Sequence, residues 1–217
     1  MRTFLLAVGL LLPTLGRAQL FSRFEPGSYV LNDSRNVRQP GQLKLQGSAK
    51  LLLKQADGKT VRLQPEQVHS FRISTRQYVS VGNFHVRGGL GGADIERGFA
   101  EQLDSGQVVL LRYTYSVGAG APMMGAGGGM SYGGSSEFSA YLLSWPGEPA
   151  VTPVQGSLYT GGGKQFREAV RPFLFSRPDL EKLLDDKLIG DDNLPAVIHA
   201  LNRSLPYVLP APVPATN

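Results

Sequence analysis

The pentapeptide Gly129-Met130-Ser131-Tyr132-Gly133 has the G-x-S-x-G spacing of a serine hydrolase, and Asp191 and His199 follow it in the chain order such enzymes use. That chemistry needs the serine on a tight strand-to-helix elbow, where a fixed imidazole can take its proton. Here the serine lies inside a glycine-rich stretch and precedes a strand-like segment, so two glycines at this spacing carry little information. A hydrolase built on Ser131, Asp191 and His199 is therefore the minor alternative, and the chain reads as non-enzymatic. The same stretch holds Met123, Met124 and Met130, the only methionines after Met1. Thioethers suit Cu(I), but no His or Cys accompanies them. Met123, Met124, Met130 and Tyr132 are better candidates for adaptable apolar contacts with a partner, set against the plainer reading of a flexible insertion.

The remaining patterns fail on their own chemistry. His69, His85 and His199 lack the close spacing of zinc ligands. A count from Asp185 puts Gly190 at the sixth place of a calcium loop, yet Lys187 and Ile189 stand where ligands are needed. Gly161-Gly162-Gly163-Lys164 resembles a phosphate loop, but Leu158 replaces its first glycine and Gln165 its hydroxyl residue. No metal or cofactor is expected. Asn32-Asp33-Ser34 and Asn202-Arg203-Ser204 match the glycosylation sequon.

The start of the chain gives an address. Arg2 is followed by the apolar run Phe4 to Leu15 and by Gly16-Arg17-Ala18, the layout of a signal peptide over residues 1–18. The run is too short to span a bilayer, and no later segment is apolar enough to do so. Beyond the leader there is no cysteine, so stability must come from packing, as suits a bacterial envelope. Losing Arg2 and Arg17 lowers the formal charge of +5 by two. The remaining basic excess is concentrated before residue 117, which fits a solvated strand surface better than a patch for anionic lipid or glycan. Nucleic acid is not expected as a partner, since no basic-aromatic motif occurs.

These features need a scaffold, and the periodicity supplies one. From Gly27 to about Val117 short alternating segments read as strands, with Asp57-Gly58 marking a hairpin and an ambiguous segment at 97–103. Residues 117–136 contain eight glycines and read as a long hairpin loop between strands ending near Tyr115 and beginning at Phe138. After residue 160 the period approaches four. Phe166, Val170, Phe173 and Leu174 form one helical stripe, which Pro172 must kink or end. Leu180, Leu183, Leu184 and Leu188 form a second, and Leu194, Val197, Ile198 and Leu201 a third, capped by Asp191 or Asp192. The expected division is a β-rich domain over 19–160, a helical part over 161–204 packed on it, and a Pro-rich tail over 205–217. This predicts an α+β fold, a mainly antiparallel sheet (sandwich or partly open barrel) followed by about three short helices.

The end of the leader at Ala18-Gln19, Gly27-Ser28-Tyr29-Val30, the unit from Asp57-Gly58-Lys59 through Leu63-Gln64-Pro65 to Val68, and Pro178-Asp179-Leu180 with Leu201-Asn202 together resemble uncharacterised exported β-rich proteins of Bacteroidota-type bacteria. The resemblance implies a periplasmic, envelope-associated or secreted location and brings no catalytic residues with it. The expectation is an exported binding protein that engages a protein or glycan of the envelope. Besides the hydrolase, the alternative is an adaptor touching lipid or lipopolysaccharide through its basic strands.

Overall fold

The computed structural model describes residues 23–88, 91–117, 123–124, 130–131, 136–154 and 163–209. The expected signal peptide over 1–18 and the end of the expected tail lie outside the described residues. In chain order the strands are β1 (Glu25–Leu31), β2 (Arg38–Gln46), β3 (Lys50–Lys54), β4 (Thr60–Leu63), β5 (Val68–Ile73), β6 (Arg76–Val81), β7 (Phe84–Gly88), β8 (Gly91–Ile95), β9 (Gly98–Asp104) and β10 (Val109–Val117). They continue as β11 (Met123–Met124), β12 (Met130–Ser131), β13 (Ser136–Ser144) and β14 (Thr152–Val154), followed by helices α1 (Lys164–Leu174), α2 (Pro178–Asp185) and α3 (Leu194–Arg203). Ten strands form one open antiparallel sheet in the order β14-β13-β10-β9-β6-β5-β1-β2-β3-β4. The protein is α+β, with its three helices at the C-terminal end of the described chain.

Local chemistry explains most connections. Between β3 and β4, Gly58 takes a positive φ of 86°, and the Lys59 N–H donates to Asp57 Oδ1. Asp57 itself does not need the left-handed region, because the loop closes over five residues through Gln55 and Lys59 and not as a two-residue turn. The expected long hairpin is present: β10 and β13 stay in register from Val109 opposite Ser144 to Val117 opposite Ser136. Beyond it β11 and β12 pair Met124 with Met130, so this stretch contains a short ladder that its composition did not announce. The sheet's outer edges are β4, carrying exposed Arg62, and three-residue β14, whose Pro153 has no N–H to offer a further strand.

Three apolar clusters hold the fold. The first, around Leu43, Leu51, Val68, Phe71 and Phe99, forms where the β1–β4 end of the sheet curls toward β9. The turn after β2 lands there: the Phe99 N–H donates to the Ser48 carbonyl at 2.6 Å, and the Ser48 hydroxyl to Tyr113 Oη at 2.9 Å. Gly98 permits this approach, since a Cβ there would sit 2.7 Å from the Tyr113 ring. The second cluster joins Leu110 and Leu143 to the helices through Phe166, Leu180, Leu184, Val197 and Leu201. Each fully buried side chain of this size contributes roughly 1.5–3 kcal/mol. The third places Leu111, Tyr113, Ala140 and Leu142 against Phe84 and Val86 of the β7–β8 hairpin. Consecutive residues of β10 and β13 thus enter opposite clusters, which buries both faces of these strands around Leu110–Leu111 and Leu142–Leu143.

The helical stripes correspond to α1, α2 and α3, with two corrections. Leu188 lies beyond α2 and is 44 % exposed, while its neighbour Ile189 is fully buried, because α2 ends at Asp185 and the chain turns at Lys187 with φ 60°. The residue at the start of α3 is Asn193, not Asp191 or Asp192, and its side chain faces backward: Oδ1 accepts from the Gly190 N–H, and Nδ2 donates to the Leu188 carbonyl. Pro172 ends α1 in effect, since the helix runs only two residues past it. After α3, Arg177 donates to the Leu205 carbonyl and Tyr207 packs beside the helical cluster, so the start of the tail is held.

Candidate binding groove

The alternation of β9 creates the site. Phe99 enters the curled cluster, Leu103 packs beside the helical cluster, and Glu101, between them on the same face, enters neither. Antiparallel register sets Tyr78 opposite Glu101, Glu101 opposite Arg112, and Arg112 opposite Tyr141, making one polar row across four strands. Tyr78, Glu101 and Arg112 of this row floor a groove of about 760 Å³ lined also by Arg76, Thr114, Ser116 and Ser139, and by Tyr115 and Phe138, whose rings alternate onto the opposite sheet face. The groove occurs because two apolar clusters stop short of each other on one sheet face.

Glu101 organises the charges. Its side chain is 15 % exposed, with Arg112 Nη2 2.6 Å from Oε2 and Arg76 Nε 3.7 Å from Oε1. The side chains of Arg112 and Arg76 are 39 % and 33 % exposed. The hydrogen bond from Arg112 to Glu101 holds the guanidinium above its ordinary range. Burial, and then the charge of Glu101, push the Tyr78 hydroxyl up, while burial does the same for Tyr115. These phenols stay protonated at neutral pH and can donate as well as accept. Tyr78 is fixed from below by Phe71, stacked at 4.8 Å, which in turn meets Phe99 edge-on at 5.0 Å. Tyr115 and Phe138 face each other across the β10–β13 pair at 5.9 Å. Their strands continue directly into the stretch that carries the methionines.

The residues of the hydrolase reading fall in different places. Ser131 lies in β12 opposite Met123; its side chain is outside the described residues, as is Tyr132. His199 Nδ1 lies 2.7 Å from Asp104 Oδ2, so the carboxylate that orients this imidazole is Asp104 and not Asp191. Asp104 is 11 % exposed and also accepts from the Ser105 N–H and from Asn202 Nδ2, forming a clamp between the β9–β10 turn and α3. His85 pairs with Asp94 across the β7–β8 hairpin at 2.7 Å. Among the described residues no group of three or more His, Asp or Glu is placed to hold a metal ion. The backbones of Met123, Met124 and Met130 are described; their side chains are not.

Asp191 has a different role. Its Oδ1 is buried with no hydrogen-bond partner among the described residues, and burial, with the nearby charge of Asp192, raises its carboxyl above the ordinary range. A carboxyl raised in the folded state binds protons more tightly there than in the unfolded chain, so it lowers stability above its folded pKa and ceases to do so below its unfolded one. Asp191→Asn is therefore expected to stabilise the protein at pH 7.5, by under about 1 kcal/mol because the site is partly solvated. Paired thermal melts at pH 7.5 and pH 3 test this: the gain should vanish at the lower pH, and an equal gain at both would show that the charge is not its cause.

Comparison with family models, curated proteins and solved structures gives no match. The functional reading rests on the groove itself.

Sequence periodicity did not find the groove residues. Glu101 lies in the ambiguous segment, and Arg76 and Arg112 resemble ordinary surface cations. The available signal was a charged residue flanked at two-residue spacing by Phe99 and Leu103, a polar side chain on a face otherwise buried.

Proposed function

We propose that this is an exported, non-enzymatic binding protein of the bacterial envelope or extracellular space that seats its partner in the groove on the face of β9, β10 and β13. The leader-like residues 1–18 support export, and no helix among the described residues is long and apolar enough to cross a membrane. The observation that carries the binding reading is the Arg76–Glu101–Arg112 cluster, partly solvated and set among the hydroxyls of Thr114, Ser116 and Ser139 in a concave site. The stretch bearing Met123, Met124, Met130 and Tyr132 continues from the groove's wall strands and supplies further contact.

A benzophenone amino acid in place of Ser139 tests the reading in bacterial cells exporting the protein, because it inserts into C–H bonds of proteins and sugars alike. Irradiation is expected to give a discrete adduct in the envelope or medium fraction, and none when the probe replaces Lys59 at the exposed β3–β4 turn. Equal labelling from both positions, or none from Ser139, contradicts it.

A further inference from the structure

We infer that the groove takes an uncharged oligosaccharide, an inference that rests on the binding reading above. The formal charges lining the groove cancel, two arginines against Glu101 and Glu137. Glu101 already engages both guanidinium groups, so a carboxylate or phosphate on a ligand would have to displace it. A sugar hydroxyl both donates and accepts. It can receive from a guanidinium N–H while giving its proton to the adjacent carboxylate, leaving the ion pairs in place. Thr114, Ser116 and Ser139 add hydroxyls of the same dual character along the walls.

The rings of Tyr115 and Phe138 alternate onto the opposite face of β10 and β13, where Tyr115 donates its hydroxyl to the Arg87 carbonyl, so the wall these strands turn to the groove is the one bearing hydroxyls. The volume of about 760 Å³ lies within the range of roughly 300–1,000 Å³ usual for ligand sites. The competing occupant is an extended peptide, because β10 pairs with β9 only from Leu110 to Arg112 and beyond Arg112 has no partner strand on that side among the described residues.

Calorimetric titration of the purified protein at 0.15 M salt with laminarihexaose, cellohexaose, mannohexaose, chitohexaose and trigalacturonate tests this. At least one neutral hexasaccharide is expected to bind and trigalacturonate is not. Arg76→Met, which removes a charged donor from the groove and leaves the Arg112–Glu101 pair, should weaken that binding at least tenfold. Ser139→Trp, at an exposed position where folding is not at stake, should abolish it by filling the groove. Failure of all four neutral sugars, tighter binding of trigalacturonate, or binding that survives Ser139→Trp overturns the inference. If the sugars fail while the probe at Ser139 still captures a protein in cells, the ligand class is wrong and the groove reading stands. If both fail, both fall.

Discussion

Truncating Phe71 to alanine is expected to lower the unfolding free energy by about 3–5 kcal/mol, the usual cost of deleting a buried phenylalanine and leaving a cavity. Phe71 is 1 % exposed, stacks under Tyr78 and meets Phe99 edge-on, so its ring joins the curled end of the sheet to the strand that carries Glu101. With total stability for a domain of this kind at about 5–15 kcal/mol, the loss takes away a large part of it. Urea denaturation followed by circular dichroism measures the effect. Phe71→Leu, which keeps most of the volume, should lose markedly less. A loss under about 1 kcal/mol for the alanine variant would mean that this cluster collapses freely and does not hold Tyr78 in place.

The second large effect is expected at Asn202. Its Oδ1 accepts from the Val108 N–H at 2.9 Å, and its Nδ2 donates to the Val108 carbonyl at 2.8 Å and to Asp104 Oδ1 at 3.2 Å. Val108 is fully buried, so removing the amide leaves two backbone groups without partners or water. At about 1–3 kcal/mol for each buried group left unsatisfied, Asn202→Ala should cost about 2–6 kcal/mol. Asn202→Asp keeps an acceptor for the Val108 N–H but sets a carboxylate against Asp104 and the Val108 carbonyl, so it should not rescue stability. Full recovery in the aspartate variant would show that only the accepted hydrogen bond matters. The close approach also explains Gly106, where a Cβ would lie 2.8 Å from Asn202.

The parts of the fold that were legible in sequence are those governed by local periodicity. The helical stripes from Phe166 to Leu201 and the Asp57-Gly58 connection depend on neighbours a few residues apart, and they occur where that spacing puts them. Leu188 and Ile189 exchanged roles because a helix that stops one turn early rotates the following residues off its stripe. The segment at 97–103 was ambiguous because β9 is buried by distant elements. Gly98 and Ala100 weaken its strand propensity, and what fixes it is pairing with β6 and β10 and the carbonyl of Ser48. The groove inherits this difficulty: Arg76 and Arg112 stand on other strands and meet Glu101 only through sheet order.

A ligand is expected to sit over Arg76, Glu101 and Arg112, between the two clusters. Amide chemical-shift mapping of the isotope-labelled protein, titrated with the neutral hexasaccharides, addresses this directly. Perturbations are expected to concentrate at Arg76, Glu101, Arg112 to Ser116 and Glu137 to Ser139. Absence of perturbation by every sugar, or shifts gathered instead around His199 and Asp104, would contradict it.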